Sequence, residues 1–414
     1  MKFEKIDKQL LAGDFGPAAR RAMQILSSYA SVVDAQRFVS IESAHIDSCL
    51  YHGQSGLDFV NSFLELGGRV RVPTTLNVAA IDLVHPEYSQ APSALTEAQR
   101  TMTRAYTELG CLPTLTCAPY QRKQRPKRGQ HIAWAESNAI VFANSCLGAR
   151  TDRYGDFTDL CAALTGRVPL AGLHLEENRQ ATFILQVTDL QSSGLERDLY
   201  FACLGYFLGA VAGTRVAVIQ GAPADTTEDE LKAIGAAAAS SGAVAMFHMV
   251  GVTPEAGTLD QATGGHTHRL ETIGVTPAHL KATMEQLCPA EPGEPVAAFC
   301  AGTPHFSLQE FRRLASQVRG RKARRGVAVL ISSSREISEL LKKAEWADPL
   351  WAFGVKIIVD TCTYLTPIAL SGDGIIVTNS AKWAHYAPGT INSRSALMSI
   401  DRCIRCAEEG KVVR

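Results

Sequence analysis

Four short apolar runs in the last third of the chain constrain its fold most strongly. They read "VAAFCAG" (296–302), "VAVLISS" (327–333), "VKIIVDTC" (355–362) and "GIIVTNS" (374–380). Helical patterns separate the first three runs. Strands that are covered on both faces read as continuous apolar runs, and their alternation with helices is typical of parallel α/β sheets. This part of the chain therefore predicts a βαβ layout with a mainly parallel sheet.

The same alternation recurs earlier in the chain. A strand, a helix and a strand are predicted in "RVAVIQGAP" (215–223), "TEDELKAIGAAAASSG" (227–242) and "AVAMFHMVG" (243–251), and helical spacing marks "GPAARRAMQILSSYASVVDA" (16–35). With 414 residues, 46% of them hydrophobic, the chain can bury cores for more than one domain. We expect an N-terminal α/β region at 1–212, a βαβ-containing middle domain at 213–290 and a C-terminal α/β domain at 291–414.

Charge and cysteine usage narrow the class of protein. Lys plus Arg equals Asp plus Glu at 41 each, so the balance favours neither nucleic acid nor an anionic membrane as a partner. No apolar run is long enough to cross a membrane, and the charged N-terminus lacks the apolar core of a secretion signal. The eleven scattered cysteines are an odd number in a chain expected to be cytoplasmic. Reduced thiols or metal ligands are therefore expected rather than disulfides.

Polar side chains follow each of the four apolar runs. Because the carboxyl ends of parallel strands lie along one edge of a sheet, where ligands bind in open α/β folds, we expect a site there. The residues that the four strand ends would deliver are Cys300, His305, Ser334, Arg335, Cys362, Ser380 and Lys382.

The segment "TNSAKWAHYAPGT" (378–390) ends the last of these strands. Pro388 and Gly389 are expected to prevent a helix from continuing, so the segment is predicted to be a loop that turns away from the sheet. Lys382 is expected to be exposed at the edge and, with Ser380, to lie within reach of a substrate carboxylate. The alternative is a surface lysine in a loop that only covers the sheet.

Three thiols stand at or near predicted strand ends. Cys117, Cys300 and Cys362 come from separate segments, and three thiolates can hold an iron or an iron–sulfur cluster. An iron with an open position would act as a Lewis acid on a substrate hydroxyl or carboxylate. The alternative is that they are small buried hydrophobic residues.

Further polar clusters lie in the first half of the chain. "GLHLEENRQATFILQV" (172–187) is either a pocket wall or a solvated face, "WAESNAIVFANSCLGARTDRYGD" (134–156) alternates polar with small residues, and "PTTLNVAAID" (73–82) adds hydroxyl and amide groups. The candidate site residues from these segments are Glu176, Ser137, Asn138, Arg150, Thr75 and Asn77.

Long segments of the chain resemble the large subunit of the aconitase X family. They include "SAHIDSCLYHG" (43–53), "VPTTLNVAAIDLVHPE" (72–87), "TCAPY" (116–120), "ESNAIVFANSCLGARTDRYGDF" (136–157), "TGRVP" (165–169), "HLEENR" (174–179), "GTPHFS" (302–307), "DTC" (360–362) and "TNSAKWAHYAPG" (378–389). The resemblance covers nearly the whole chain.

The resemblance implies an α/β, aconitase-like hydro-lyase in which three α/β domains with mainly parallel sheets surround a central cleft. It implies an iron centre, with a [2Fe–2S] cluster preferred over a mononuclear iron. It also implies a partner, because this chain corresponds to the large part of the fold only. That partner would be a small subunit that carries the swivelling domain and a catalytic serine.

The resemblance also implies a substrate. Similar bacterial members dehydrate cis-3-hydroxy-L-proline to Δ1-pyrroline-2-carboxylate, whereas archaeal members act on a phosphorylated mevalonate. The amino-acid sequences of residues 43–53 and 174–179 are closer to the bacterial type. A phosphomevalonate dehydratase is the alternative, although no glycine-rich phosphate loop is evident. A non-catalytic iron–sulfur binding protein is a second alternative, which would need the thiols but not Lys382, Ser380 or Arg335.

Dehydration of a 3-hydroxyproline needs a base for the α-proton, a cationic group for the carboxylate and assistance to the departing hydroxide. Arg150, Arg335 or Lys382 would hold the carboxylate. Ser380, beside Lys382, is a candidate base or carboxylate ligand, and a protonated His45 would assist hydroxide departure. Thr303 stands where many family members have a cysteine, so Cys300 is taken as the third metal ligand.

Overall fold

The computed structural model describes residues 1–187, 190–370 and 372–413. These residues form two compact units. The first unit comprises 1–80, 92–180 and 253–255, and the second comprises 81–91, 181–252 and 256–414.

The first unit is built around a small parallel sheet. Its helices and strands are α1 Lys5–Ala12, α2 Pro17–Val32, β1 Phe38–Ser40, β2 Ala44–Ile46, α3 Gln54–Glu65, β3 Thr74–Leu76, α4 Ser93–Glu108, β4 Ala133–Trp134, α5 Ser137–Ser145, α6 Thr158–Thr165 and β5 Arg167–Pro169. Strands β3, β2 and β4 form a three-stranded parallel sheet in that order, while β1 and β5 pair antiparallel. The carboxyl ends of three parallel strands therefore lie along one edge of this unit.

The second unit contains two larger sheets. Its elements are β6 Phe183–Val187, α7 Leu190–Ser193, α8 Arg197–Ala212, β7 Ala217–Gln220, α9 Glu228–Ser241, β8 Phe247–Met249, α10 Leu259–Thr263, β9 Glu271–Val275, α11 Pro277–Gln286, β10 Val296–Ala301, α12 Leu308–Gln317, β11 Ala328–Ser332, α13 Arg335–Lys342, α14 Asp348–Phe353, β12 Val355–Ile358, β13 Ile375–Thr378, α15 Ala381–Thr390, β14 Ser395–Leu397 and α16 Ile400–Glu409.

Both sheets of the second unit are parallel throughout. The four-stranded sheet has the order β8-β7-β6-β9, and the five-stranded sheet has the order β12-β11-β10-β13-β14. In the five-stranded sheet the chain first moves outward from β10 and then returns to continue on its other side at β13. The boundary between β10 and β13 is thus a topological switch point, where open α/β sheets form a crevice for ligands.

Local sequence explains how the helices beside this switch point begin. Ser307 and Glu310 form a capping box at the start of α12, in which each side chain accepts a backbone hydrogen bond from the other residue. Ser380 caps α15 by accepting a hydrogen bond from the backbone of Trp383 at 3.1 Å. Both helices therefore start at defined positions just beyond the ends of β10 and β13.

The sequence prediction of a mainly parallel α/β fold is confirmed, and all four predicted C-terminal strands are present. Strand β14 was not predicted. It is three residues long and pairs only with β13 among the described strands, so its apolar pattern is too short to stand out.

The loop predicted for 378–390 is wrong, because residues Ala381–Thr390 form helix α15 with Pro388 inside it. Proline lacks the N–H that would bond to the carbonyl of Ala384 four residues earlier. The hydroxyl group of Ser395 on β14 donates to that carbonyl instead, at 3.4 Å. A residue from the neighbouring strand thus satisfies the group that proline leaves open.

Among the residues that the structure describes, no helix combines the length and apolar character needed to cross a membrane. All eleven cysteines are free thiols, and nine of them are buried.

Candidate active site

The switch point of the five-stranded sheet holds a small cavity. Its walls include the turn after β10, the start of α15 and one face of α9, and it has a volume of about 40 Å³. The residues that line it are Ala202, Lys232, Ala233, Ala236, Gly302, Thr303, Pro304, Phe306, Glu310, Asn379, Ser380, Ala381 and Lys382. Since one water needs roughly 10–15 Å³, the cavity has room for a small polar group such as a carboxylate.

Lys382 is in the first turn of α15 and lines this cavity with only 5% of its surface exposed. The sequence prediction of an exposed lysine is therefore wrong, and the reason is that the segment is a helix packed against the sheet rather than a loop. A lysine is rarely buried this deeply without an anionic or polar partner. The positive end of the α15 dipole lies at the same place, so this end of the helix favours a negatively charged group.

Ser380 joins the two strand ends that border the cavity. Its hydroxyl group donates to the carbonyl oxygen of Thr303 and accepts from the backbone N–H of Trp383. The oxygen of Ser380 is thus engaged in holding the start of α15 against the turn after β10.

The turn after β10 needs glycine at position 302. Gly302 has φ +86°, and a side chain there would collide with the backbone of Ser332 on the neighbouring strand. Thr303, which follows it, is 3% exposed, and its hydroxyl oxygen has no hydrogen-bond partner among the described residues. A buried hydroxyl group that lines a cavity without a partner indicates a place for a polar ligand.

A second buried lysine lies on the α9 side of the cavity. Lys232 forms ion pairs with Glu310 and with Asp229, the latter at 3.4 Å. Burial opposes its charge, but the two carboxylates outweigh burial and raise the pKa of Lys232. Its charge is therefore already balanced by carboxylates of the protein.

His305 and Cys362 form a buried pair within the second unit. Their potential ligand atoms lie within 4.8 Å of each other, and neither residue is more than 2% exposed. The His305 Nε2 atom lies 3.1 Å from the carbonyl oxygen of Thr361, to which it can donate. In that tautomer the neutral ring presents the Nδ1 lone pair, and a backbone carbonyl that orients the opposite nitrogen is a usual feature of metal-binding histidines.

Cys300, the predicted third thiol, has different surroundings. It lies inside β10 in an apolar cluster with Leu330, Ile376 and Trp383. Burial raises the pKa of its thiol to about 12, so it is a neutral thiol at physiological pH. Within the described part of the second unit, His305 rather than Cys300 has a ligand atom next to the Cys362 sulfur. The position of a histidine two residues after Thr303 was visible in "GTPHFS", but the spacing did not show which residue would turn toward Cys362.

Arg335 begins α13 and binds Asp360 in a bidentate ion pair with distances of 2.6 and 2.5 Å. Asp360 is buried, and its burial raises its pKa while Arg335 counteracts this. The arginine is predicted to hold a substrate carboxylate, and in the structure it instead neutralises a carboxylate of the protein. The side chain of Asp82 accepts hydrogen bonds from the backbone N–H groups of Val84 and His85 in its own loop and of Val359, the residue before Asp360.

In the first unit, the predicted residues His45 and Thr75 lie on adjacent strands and contact each other. Their Nδ1 and Oγ1 atoms are 2.8 Å apart, and the ring also forms a hydrogen bond with the backbone of Thr116. Burial is the main reason that the pKa of His45 falls to about 4. His45 is therefore neutral at physiological pH, which does not fit its predicted role as a protonated acid.

Asn77 follows β3 and donates a side-chain hydrogen bond to Asp47, which follows β2. Asp47 was not among the sequence candidates. Burial, together with the carboxylates of Glu136, Asp156 and Asp159, raises its pKa to about 7, while the bond from Asn77 acts in the opposite direction. The signal in the sequence was its place directly after the apolar triplet "AHI" that forms β2.

Ser137 and Asn138 begin α5, beyond the end of β4. Ser137 donates to Glu136, and the amide of Asn138 bonds to Glu136, Tyr120 and the carbonyl of Cys117. The Asn138 side chain thus holds the backbone of Cys117, a buried thiol of the first unit.

Arg150 and Glu176 form an ion pair with each other, and Arg150 also donates to the carbonyl of His174 at 3.1 Å. The side chain of Glu176 is 69% exposed. Both residues were predicted for the site. The structure leaves Glu176 in solvent, paired with Arg150.

Comparison with known proteins covers almost the entire chain. The chain matches the family models for the first, second and third domains of aconitase X over residues 1–177, 181–285 and 296–409. It is 42% identical to the cis-3-hydroxy-L-proline dehydratase of Hypocrea jecorina, over 98% of this chain and 68% of that one. It is also 42% identical to the enzyme of the same name from Pseudomonas aeruginosa, over 99% of this chain and 70% of that one.

Two further relatives bear on subunit organisation and fold. The phosphomevalonate dehydratase large subunit of Methanothermobacter thermautotrophicus is 34% identical over 93% of this chain and 94% of its own length. The crystal structure of aconitase X from Thermococcus kodakaraensis in its holo-form matches with a TM-score of 0.86 at 33% identity, over 98% of this chain and 100% of that one. The three matched domains and these identities show that the chain belongs to the aconitase X family.

Proposed function

We propose that this chain is the large subunit of a hydro-lyase that dehydrates cis-3-hydroxy-L-proline to Δ1-pyrroline-2-carboxylate. The observation that carries the proposal is the cavity at the β10–β13 switch point, with the buried cation of Lys382 and the unpartnered hydroxyl group of Thr303. Together with two dehydratase relatives of that name at 42% identity, this cavity supports a small substrate with one carboxylate.

In this proposal Lys382 and the start of α15 bind the substrate carboxylate. A cation at the carboxylate stabilises the negative charge that develops when the α-proton leaves, and this lowers the barrier to proton removal. Ser380 keeps the start of the helix in place, since its hydroxyl group is engaged with Thr303 and Trp383. Ser380 therefore acts by positioning. The base is proposed to be the serine of the partner subunit.

The residues of the second unit fit one side of an iron site. His305 and Cys362 are buried, close to each other and of the nitrogen and sulfur types that bind iron. Cys117 is proposed as the ligand from the first unit, and a [2Fe–2S] cluster is preferred over a mononuclear iron. When bound, iron supplies a Lewis acid for the departing hydroxyl group. Cys300 is not proposed as a ligand, because it packs in an apolar core and His305 rather than Cys300 has a ligand atom beside the Cys362 sulfur.

A small partner subunit is part of the proposal. The relative from Methanothermobacter thermautotrophicus is named as a large subunit, and this name supports a small subunit as the partner. The swivelling domain and its serine are proposed to belong to that partner.

Phosphomevalonate dehydration is the second candidate, and the organisation of large and small subunits favours it equally. The glycine pair most like a phosphate loop is Gly264–Gly265, which follows the five-residue helix α10 and precedes only a single 3-10 turn at Thr267–Arg269. This arrangement does not provide the amide cradle that binds phosphate at the start of a helix.

The experiment is co-expression of the chain with a small subunit encoded beside it, followed by assay on cis- and trans-3-hydroxy-L-proline and on 5-phosphomevalonate. The proposal expects turnover of the cis compound and loss of turnover in Lys382→Met at unchanged iron content. Turnover of phosphomevalonate alone would assign the second candidate. Iron binding without turnover of any of the three, in a complex that is folded and iron-loaded, would indicate the non-catalytic alternative.

A further inference from the structure

The first unit contains a cluster of hydrogen-bond acceptors at one edge of its parallel sheet. Asp47, Asn77 and Glu136 come just after the ends of β2, β3 and β4. This edge corresponds to the carboxyl ends of the strands, where α/β proteins bind ligands. The cluster is outside the cavity of the second unit, and its residues belong to the first unit alone.

One buried acceptor in this cluster has no donor among the described residues. Asn77 is 3% exposed, its Nδ2 atom donates to Asp47, and its Oδ1 atom is the acceptor without a donor. Buried polar atoms nearly always have a partner, so this amide oxygen indicates a ligand that donates a hydrogen bond.

His45 lies close enough to Glu136 to be affected by its charge, but its ring is engaged within the protein. Its Nδ1 atom lies 2.8 Å from the Oγ1 atom of Thr75, and the ring also forms a hydrogen bond with the backbone of Thr116. His45 is therefore not counted among the acceptors that a ligand would meet.

Asp47 is held so that one of its oxygens remains available. Its backbone N–H donates to Asp159 at 2.8 Å, and its Oδ1 atom accepts from Asn77. No hydrogen bond to its Oδ2 atom is formed by any residue that the structure describes. The cluster therefore presents a carboxylate oxygen and an amide oxygen, and Glu136, Asp156 and Asp159 add negative charge around Asp47.

We propose that Asp47 and Asn77 form a subsite for the protonated ring nitrogen of a cyclic amino acid, with Asp47 as the counter-ion. This inference deepens the proposed function and rests on it for the identity of the substrate. The two N–H groups of a secondary ammonium supply donors for the Asn77 Oδ1 atom and for the Asp47 Oδ2 atom. A phosphorylated substrate supplies negative charge instead, which this group of carboxylates repels.

Binding of an ammonium ion at this subsite is coupled to the release of a proton from Asp47. The pKa of Asp47 is about 7 in the free chain, so near neutral pH a substantial fraction of this residue is protonated. An ammonium ion at Oδ2 favours the carboxylate form, and the displaced proton goes to solvent. The groups that act on Asp47 are Glu136, Asp156 and Asp159, all of which raise its pKa. The nearby Cys49 stays a neutral thiol because burial raises its pKa well above the usual value, and His45 stays neutral above about pH 4.

The test is calorimetric titration of the full chain with L-proline, cis-3-hydroxy-L-proline and cis-3-hydroxytetrahydrofuran-2-carboxylate, in which an ether oxygen replaces the amine. Titrations run between pH 5.5 and 8.5 in buffers of different ionisation enthalpy. Affinity for the two amines should increase about tenfold per unit as pH rises toward 7 and then level off. Proton release should accompany binding below pH 7, and the ether compound should bind at least tenfold more weakly.

Three variants sharpen the result. Asp47→Asn should weaken amine binding at least tenfold at pH 8 and remove the proton release. Asp156→Asn removes one of the carboxylates that raise the pKa of Asp47, so the midpoint of the pH dependence should fall while binding at pH 8 persists. Asp58→Asn is the matched control, because Asp58 is an exposed carboxylate of the same unit that bonds to Gln54.

The outcomes separate this inference from the proposed function. Amine-dependent, proton-linked binding without any dehydration by the assembled complex would support the subsite and remove the proposed reaction. Dehydration of cis-3-hydroxy-L-proline with the same KM and the same pH dependence in Asp47→Asn would overturn the subsite and leave the reaction in place. Equal affinity for the amine and the ether compound, or no binding of any of the three, would also overturn the subsite.

Discussion

The hydroxyl group of Ser380 donates a hydrogen bond to the carbonyl oxygen of Thr303, and this bond joins the ends of two adjacent parallel strands, β10 and β13. The two residues are 77 positions apart in the sequence. Their contact sets the distance between the turn after β10 and the first turn of α15. It thereby places the unpartnered Thr303 hydroxyl group and Lys382 in the same cavity.

Replacement of Ser380 by alanine should lower stability more than activity per folded molecule. The variant loses the N-cap of α15 and the bond to Thr303, and loss of an N-cap alone costs about 0.5–2 kcal/mol. Denaturant unfolding of wild type, Ser380→Ala and the capping-competent Ser380→Thr measures this. A rate of Ser380→Ala that falls by several orders of magnitude at full stability would instead make Ser380 the base.

Replacement of Lys382 by methionine should reduce turnover by the assembled complex about a hundredfold or more, the scale for loss of one positioned charged group. Methionine is chosen because Lys382 is buried, and alanine would leave a cavity in addition to removing the charge. Steady-state kinetics, with iron content measured in parallel, provides the check. Full activity of Lys382→Met would show that α15 only covers the sheet.

Iron binding should depend on Cys362 and His305 but not on Cys300. Anaerobically purified Cys362→Ser and His305→Ala should lose iron, because each removes one of two adjacent buried ligand atoms. Cys300→Ala should retain it, since the Cys300 thiol lies in an apolar cluster and stays protonated. Metal analysis and visible absorption are the measurements. Loss of iron in a folded Cys300→Ala protein would restore the three-thiol prediction, and the same assay on Cys117→Ser tests the proposed ligand of the first unit.

The chain alone should show little dehydratase activity, and addition of the small subunit should restore it. The reason is that the proposed base lies on the partner, while this chain provides the carboxylate site. Turnover numbers are compared for the isolated chain, for the complex and for a complex in which the partner's serine is replaced by alanine. Full turnover by the pure chain would require a base within it.

Asp47→Asn should stabilise the protein at pH 8 but not at pH 4. The pKa of Asp47 rises from 3.8 to about 7 on folding, so its contribution to stability is intact below pH 4 and is lost as pH rises through 7. Asparagine removes this penalty, which we expect to amount to about 1–3 kcal/mol because Asp47 is only partly buried. Denaturant unfolding at the two pH values is the measurement, and equal effects at both would contradict it.

The local sequence was sufficient for the fold class and for the sheet edge at which the cavity lies. Apolar runs of four to six residues, such as Val296–Ala301, identify strands covered on both faces, and such strands are parallel and lead to an edge rich in polar residues. The resemblance of long segments to aconitase X named the family, which the domain matches confirm. Neither the apolar runs nor the family resemblance depends on knowing which strands are neighbours in the sheet.

Tertiary structure decided which side chains meet and how they are charged. The strand order places β13 beside β10, and only this order brings Ser380 to Thr303. It also places Ser395 of β14 where it satisfies the carbonyl that Pro388 leaves open, so α15 forms in a segment whose local residues oppose a helix.

The properties of Asp47 and Lys382 have the same origin. The sequence by itself determined that a carboxylate follows β2 and that a lysine follows β13, because the apolar pattern fixes where those strands end. It did not determine the raised pKa of Asp47 or the burial of Lys382. Both properties depend on burial and on groups from residues distant in the sequence. A periodic pattern along one segment indicates which face is buried, but it does not indicate which residues pack against that face.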